Sequence, residues 1–329
     1  MPSSVLTLPT ALTLPTGDAV AAARVNIGGF ALRTPLLRLS ADLPGIQVYL
    51  KLENMQPLGS FKIRPAINVL KTMDRAQLRR GVLTASAGNF GQGLAFAARQ
   101  IGVPATVVVP EGSAATKAKA LVELGATVIR LPFDEWWTVL TTRRFAGEEG
   151  IFVHPVAESA VIAGNATIGA EILEDQPDID AVVVPFGGGG LACGIGSVMR
   201  RLKPGARMIV AESEAAQPAA AALTHGHPVR VPHIQSFVDG MGSTTVLEEM
   251  WPLVRRMVDE AACASFAQIT EAIRLLAGRH HVIAEAAGAV SVAAAMAGMA
   301  GKGNIICIVS GGNIDPPKLG AILNGQSPF

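Results

Sequence analysis

Three segments of this chain combine side chains and backbone suited to covalent chemistry on a small anionic molecule. The first is Gly59-Ser60-Phe61-Lys62-Ile63-Arg64. A strand-like run, Val48 to Glu53, leads into a turn at Pro57-Leu58-Gly59, and the stretch from Phe61 to Met73 reads as a helix. Lys62 therefore stands near a helix N-terminus between apolar neighbours. A lysine so placed sheds its proton easily, because burial and the positive dipole end both oppose the ammonium form. A neutral amine forms a Schiff base with a carbonyl. Alone, the segment reads more readily as a surface lysine, and the two other segments overturn that reading.

The second segment is Pro185-Phe186-Gly187-Gly188-Gly189-Gly190-Leu191, after the strand Ala181–Val184 and at the start of a helix. Consecutive glycines let backbone N–H groups curl round an anion, and the helix N-terminus adds about half a positive charge. An ordinary strand–helix turn needs one or two glycines, so four in a row indicate a phosphate cradle. The third segment, Thr84 to Gly93, also joins a strand to a helix. Ser86, Ala87, Gly88, Asn89 and Phe90 lie in it, and it can hold a carboxylate or simply cap the helix. A Schiff-base lysine, a phosphate cradle and a carboxylate loop are what pyridoxal phosphate and an amino acid require together. Ser310, after the last strand, adds a hydroxyl that can face the pyridine nitrogen.

A different assignment fits the glycine run alone. Gly187, Gly189 and Ala192 match G-x-G-x-x-A, and Glu212 ends the next strand where a ribose-binding acid is expected in an NAD-dependent oxidoreductase. That assignment leaves Lys62 and the Ser86 loop without a role, and puts in mid-chain a fingerprint that normally opens its domain.

The elements that must position these loops alternate. Strands are expected at 82–85, 105–109, 126–130, 181–184, 207–211 and 304–309, with helices at 88–100, 114–124, 160–174 and 191–201. Short β-branched runs between helical segments specify βαβ units and parallel sheets. The expected fold is α/β, with two open parallel-sheet domains. Residues 80–157 form a small domain inserted into a large one made of 1–79 and 158–329. Functional loops belong in the crevice beyond the strand C-termini.

Composition narrows the partners. The chain has 329 residues, enough for about two domains. Half are hydrophobic, 16% are charged and the net charge is +1, which gives no footprint for nucleic acid or an anionic membrane. Cys193, Cys263 and Cys307 are an odd, scattered set, suited to a reducing cytoplasm. The N-terminus lacks the basic stretch of a signal peptide, and no apolar run is long enough to span a bilayer. The repeat Leu-Thr-Leu-Pro-Thr at 6–10 and 12–16 reads as an extended arm.

The motifs, taken in order, resemble the fold type II (tryptophan synthase β-like) pyridoxal-phosphate enzymes, specifically the threonine/serine dehydratase and serine racemase family. The resemblance covers Arg33-Thr34-Pro35-Leu36, Lys51-Leu52-Glu53-Asn54, Gly59 to Arg64 and Ser86 to Asn89. It continues through Ala163-Gly164-Asn165, Thr167-Ile168-Gly169, Gly187 to Leu191 and Ser310-Gly311-Gly312-Asn313. It implies that Lys62 carries the cofactor as a Schiff base and then acts as the base at Cα. Phe61 would line the cofactor ring and Asn89 would bond its ring oxygen. Gly187, Gly188, Gly189 and Gly190 would bind the phosphate, and Ser310 would meet the pyridine nitrogen. Gly240 and Glu285 match positions near the cofactor. The implied reaction is β-elimination from a 3-hydroxy-L-amino acid to a 2-keto acid and ammonia, with the cofactor phosphate as candidate acid for the leaving hydroxyl. A homodimer or higher homo-oligomer is implied as well.

The chain departs from the family in informative places. Racemising members carry a second serine directly before the Gly-Asn pair; Ala87 stands there and cannot exchange a proton, which favours elimination over racemisation. Phe90 replaces a frequent histidine, and His154-Pro155-Val156-Ala157-Glu158-Ser159 lacks the usual acids. With the unusual Asp134-Glu135-Trp136-Trp137, these changes suggest a larger or more apolar substrate, such as phenylserine. Some members bind a divalent cation after the strand at 207–211. Glu212 fits the first ligand, but Pro218 replaces another acid, with Glu214 as its only stand-in. The chain stops soon after Asp315, so neither a regulatory domain nor end-product feedback is expected.

Overall fold

The computed structural model describes residues 12–41, 43–86, 88–113 and 115–328. In chain order the elements are α1 Gly17–Ile27, β1 Leu36–Arg38, β2 Ile46–Lys51, α2 Ile63–Thr72, α3 Arg75–Leu78, β3 Val82–Ala85 and α4 Asn89–Ile101. There follow β4 Ala105–Pro110, α5 Ala115–Glu123, β5 Thr127–Leu131, α6 Phe133–Thr142, β6 Ile151–Phe152, α7 Ser159–Asp175, β7 Ala181–Pro185 and α8 Gly190–Leu202. The last are β8 Arg207–Ser213, α9 Pro218–His225, α10 Trp251–Met257, β9 Glu260–Ala264, α11 Phe266–His280, α12 Ala286–Met296, β10 Gly303–Ile308 and α13 Pro316–Leu323. Each strand and helix expected from the sequence is present within about two residues. Among the strands not expected, β1 has three residues, β6 has two, and β9 is Glu-Ala-Ala-Cys-Ala, too short or too uniform for a periodic signal; α11, with buried Ile269, Ala272, Ile273 and Leu276 at helical spacing, was legible but not read.

The chain forms two compact α/β units, one comprising Met1–Ala31 and Lys62–Gly164, the other Leu32–Phe61 and Asn165–Phe329. The smaller unit thus takes in α1 and the stretch from Lys62 onward, both expected in the larger domain, because α2 packs on α4 and on α1. Its sheet is parallel throughout, in the order β5-β4-β3-β6. The second copy of the proline repeat, 12–16, leads into α1; its Thr16 hydroxyl caps that helix by accepting from the Ala19 N–H. The first copy, 6–10, lies outside the described residues.

The larger unit has a six-stranded sheet in the order β1-β2-β10-β7-β8-β9. All neighbours are parallel except β1 with β2. The short link between those two strands permits only the antiparallel pairing. All five residues of β7 are buried, as expected of a strand covered on both faces. Every residue of α12 from Ala286 to Ala295 is buried, so this helix carries no amphipathic pattern. Among the described residues, no helix is long and apolar enough to cross a membrane.

A buried polar brace anchors the segment that leads to Lys62. Lys51, fully buried at the end of β2, donates to Glu171 at 2.6 Å and to the Thr34 carbonyl at 2.7 Å. The Thr34 hydroxyl donates to Glu53, and the Gln56 side chain pairs with both backbone groups of Leu32. Truncating one partner strands the other charge in the core. Lys51→Met is expected to cost about 3–5 kcal/mol, read from the denaturant midpoint of unfolding.

Candidate active site

In each sheet the strand order reverses once, and a ligand crevice in an open α/β sheet lies at such a point. In the larger unit the reversal falls between β7 and β10. The loop after β7 is the glycine run, and the residue two beyond β10 is Ser310. Gly189 caps α8 with φ +89°, a left-handed conformation open to glycine, and no side chain caps this helix end. The amides of the first turn of α8 are thus left without a side-chain cap, as an anion cradle requires. Gly187 lies against the Gly240 carbonyl, 2.9 Å from where a Cβ would sit, so a side chain there would collide with Gly240. Gly240 itself approaches Ala287 in the first turn of α12.

The same turn meets the end of β10. The Ser310 hydroxyl donates to the Ala287 carbonyl at 3.4 Å, and the Glu285 amide donates to the Gly311 carbonyl at 3.0 Å. On the other side the Phe61 amide donates to the Ser310 carbonyl at 3.1 Å, and Ser60 bridges to Gly311. Hydrogen bonds and close approaches of backbone therefore place Phe61, Gly187, Gly240, Glu285 and Ser310 in one neighbourhood of the larger unit. The Ser60 hydroxyl is buried there without a hydrogen-bond partner. Sequence reading passed over it, because a serine in a turn carries no signal of its own.

In the smaller unit the reversal falls between β3 and β6. The Ser86 loop follows β3 and His154-Pro155 follows β6. Lys62 occupies the N-cap position of α2, and its amine donates to the Pro155 carbonyl at 3.3 Å. The amine also lies 5.4 Å from the centroid of the Phe90 ring. An aromatic face favours the ammonium form, yet burial outweighs it and lowers the Lys62 pKa to about 8. Gly93 of α4 would place a Cβ 2.8 Å from the Lys62 carbonyl, so only glycine lets α4 approach this closely.

The Ser86 hydroxyl accepts from the Gly88 and Gly91 N–H groups at 3.4 and 3.3 Å, a capping arrangement. Asn89 is the first residue of α4 and Phe90 is buried beside it. Ala87 lies outside the described residues. The adjacent tryptophans pack: the Trp136 indole donates to the Val108 carbonyl at 3.1 Å, and Phe133 stacks on Trp137.

The acids proposed for a cation have other partners. Both Glu212 oxygens accept from α9, from Ala219 N–H at 2.7 Å and Ala220 N–H at 2.9 Å, and burial raises its pKa to about 7. Pro218, at the start of α9, makes this helix end available to Glu212. Glu214 accepts from the Phe266 N–H at the start of α11. Both carboxylates thus act on helix N-termini. Among the described residues, no group of three or more His, Cys, Asp or Glu is placed to hold a metal. The same contacts turn Glu212 toward α9, away from the role of ribose ligand.

The parts present fit pyridoxal phosphate: an amine of lowered proton affinity, a glycine cradle at an uncapped helix end, and an unpartnered buried hydroxyl beside Ser310. Comparison with known proteins agrees. The family model for pyridoxal-phosphate dependent enzymes matches residues 28–311. The chain belongs to that family. It falls in the fold type II group with the threonine/serine dehydratases and serine racemases, and the dinucleotide alternative is set aside. An L-threonine ammonia-lyase of Thermotoga maritima is 39% identical over 86% of this chain and 71% of its own length. A catabolic L-threonine dehydratase of Staphylococcus aureus is 35% identical over 98% of this chain and 96% of its own. The structure of maize serine racemase superposes with a TM-score of 0.86 at 28% identity, covering 95% of this chain and 99% of the racemase.

The lowered pKa of Lys62 has a consequence for stability. The unfolded chain keeps a lysine near 10.5 and the folded one near 8, so the unfolded state holds more protons between those values. The cost to the fold is complete below about pH 8 and disappears as pH rises toward 10.5. Lys62→Met in the cofactor-free protein is expected to gain on the order of 1–3 kcal/mol at pH 7. Thermal melts from pH 7 to 10.5 should show that gain shrinking.

Proposed function

We propose that this enzyme catalyses β-elimination from a 3-hydroxy-L-amino acid of the threonine and serine type, releasing a 2-keto acid and ammonia. The observation that carries this reading is the Lys62 amine, near neutrality and held at a fixed acceptor, in a chain whose relatives are named as L-threonine ammonia-lyase and dehydratase. Gly187, Gly188, Gly189 and Gly190 would hold the cofactor phosphate, and Phe61 would line the ring. Asn89 would face the ring oxygen and Ser310 the pyridine nitrogen, with Gly240 and Glu285 at the border. The loop from Ser86 through Ala87 and Gly88 to Asn89 would take the substrate carboxylate on backbone N–H groups. When bound, the cofactor supplies the electron sink. Lys62 would anchor it and would remove the Cα proton.

Selectivity is the finer proposal. Phe90, buried within reach of the Lys62 amine, gives the carboxylate loop an aromatic wall, which supports a substrate larger or more apolar than serine. The tryptophan pair does not add to this argument, since Trp136 is committed to β4. Apolar contact discriminates by only about 1–3 kcal/mol per methylene, so a preference rather than an exclusion is expected. Racemisation is the second reading, supported by the fold of maize serine racemase. Ala87 opposes it, because no hydroxyl at that position can return a proton from the other face. Three free cysteines suit a reducing cytoplasm. Exposed Met55 and Ile283 offer apolar surface to a second copy.

Keto-acid and ammonia release should be measured with L-threonine, L-serine and L-phenylserine, alongside chiral analysis of residual serine. The expected outcome is keto acid from all three, the highest kcat/KM for a substrate bulkier than serine, and no D-serine. Lys62→Ala should lose the cofactor's visible absorbance and at least ~10²-fold in rate. Activity retained in that variant would end the reading.

A further inference from the structure

His154 is a buried, titratable side chain to which the proposed reaction gives no part. Its ring lies near Phe152, and its Nδ1 accepts two backbone hydrogen bonds, from Val156 N–H at 3.1 Å and Ala157 N–H at 2.8 Å. Nδ1 is thus the acceptor nitrogen, and the neutral ring carries its proton on Nε2. Burial, aided by the charges of Arg143 and Lys62, lowers the His154 pKa to about 3 and keeps this tautomer neutral across the working range.

The Val156 N–H and the Pro155 C=O belong to one peptide group. That group is planar and trans, so its N–H and C=O point in opposite directions. Fixing the N–H on the His154 ring therefore aims the Pro155 carbonyl away from the ring, and that carbonyl accepts the Lys62 amine. Two charged groups brace the turn from behind. Arg143 donates to the Ala157 carbonyl at 3.0 Å and to Glu158 at 3.4 Å, and Glu158 accepts the His154 N–H at 3.4 Å. Arg143, His154 and Glu158 are all at least nine-tenths buried.

We infer that His154 is a positioning residue for Lys62, holding the Pro155 carbonyl as the station of the lysine amine whenever that amine is not bonded to the cofactor. The inference rests on the reading of Lys62 as the base at Cα. It gives the His-Pro sequence a use that needs no acid in the following positions. His154 acts through the peptide plane, so any side chain with an acceptor at the same distance from the backbone can replace it. Asparagine qualifies, since its Oδ1 accepts from the N–H two residues on.

Three variants decide the matter: His154→Asn, which keeps an acceptor, and His154→Phe and His154→Leu, which remove it at different volumes. In cofactor-free protein, competitive acetylation of Lys62 followed by peptide mass spectrometry gives the titration of the amine. Wild type and His154→Asn should agree. In the Phe and Leu variants the curve should move to lower pH, because the ammonium form loses the Pro155 carbonyl. In the holoenzyme those two variants should lose about ten- to a hundredfold in kcat. Their KM should stay within about twofold, and the isotope effect with Cα-deuterated substrate should be larger. A folded Phe or Leu variant with an unshifted labelling curve overturns the inference. So does a folded Asn variant whose curve departs from wild type, which decides the case even if the other two do not fold. Labelling needs no substrate, so failure here is distinct from failure of the elimination reading, which Lys62→Ala tests.

Discussion

The hydrogen bond from the Phe61 amide to the Ser310 carbonyl joins the start of the lysine segment to the end of the central strand β10. Around it the Gly312 amide donates to the Gly59 carbonyl, and the Asn313 side chain donates to the Leu58 carbonyl. These bonds act as a short extra pairing at the end of the sheet. Residues 58–61 therefore have no freedom of their own: their course follows β10, which is itself paired on both sides by β2 and β7. The lysine begins where this pairing ends. The buried Lys51–Glu171 pair fixes the strand from which the segment departs, at a desolvation cost that its good geometry offsets.

Within the smaller unit the controlling effect is desolvation. Burial acts on Lys62 and on His154 in the same direction, favouring the uncharged form of each. A neutral imidazole can accept from two amides, and a near-neutral amine can serve as nucleophile and base. The surface that removes water comes from α4, where Phe90 fills the space over the amine and Gly93 permits the helix to approach. A polar residue at 90 would have weakened this dryness, and a side chain at 93 would have pushed α4 away.

Acidic residues show why residue type misleads without geometry. Glu212 and Glu214 sit in a stretch that reads as half a cation site, and Glu212 also reads as a ribose ligand. The fold gives each a helix N-terminus, and backbone amides satisfy them at distances typical of charge-assisted bonds. Ser86 tells a related story: its hydroxyl, which reads as a group free to meet a ligand, accepts from the Gly88 and Gly91 N–H groups of its own loop. Nothing local in the sequence separates these outcomes, because each depends on which helix begins nearby.

Local rules were enough for much of the molecule. Alternating β-branched runs and helical segments gave the α/β class and the strands that precede each functional loop. Four successive glycines at a helix start marked a turn with a left-handed residue and no side-chain cap, and Lys62 at a helix start between apolar residues marked a perturbed amine. Strand order was beyond those rules, since hydrophobic pattern says that a strand is buried but not beside which partner. The fold set β10 against β7, which put Ser310 next to the glycine loop, and β6 against β3, which put His154-Pro155 next to Ser86. The partners of Pro155 and Glu212 were likewise set by tertiary structure, because a carbonyl or a carboxylate acquires its chemistry from the group it faces.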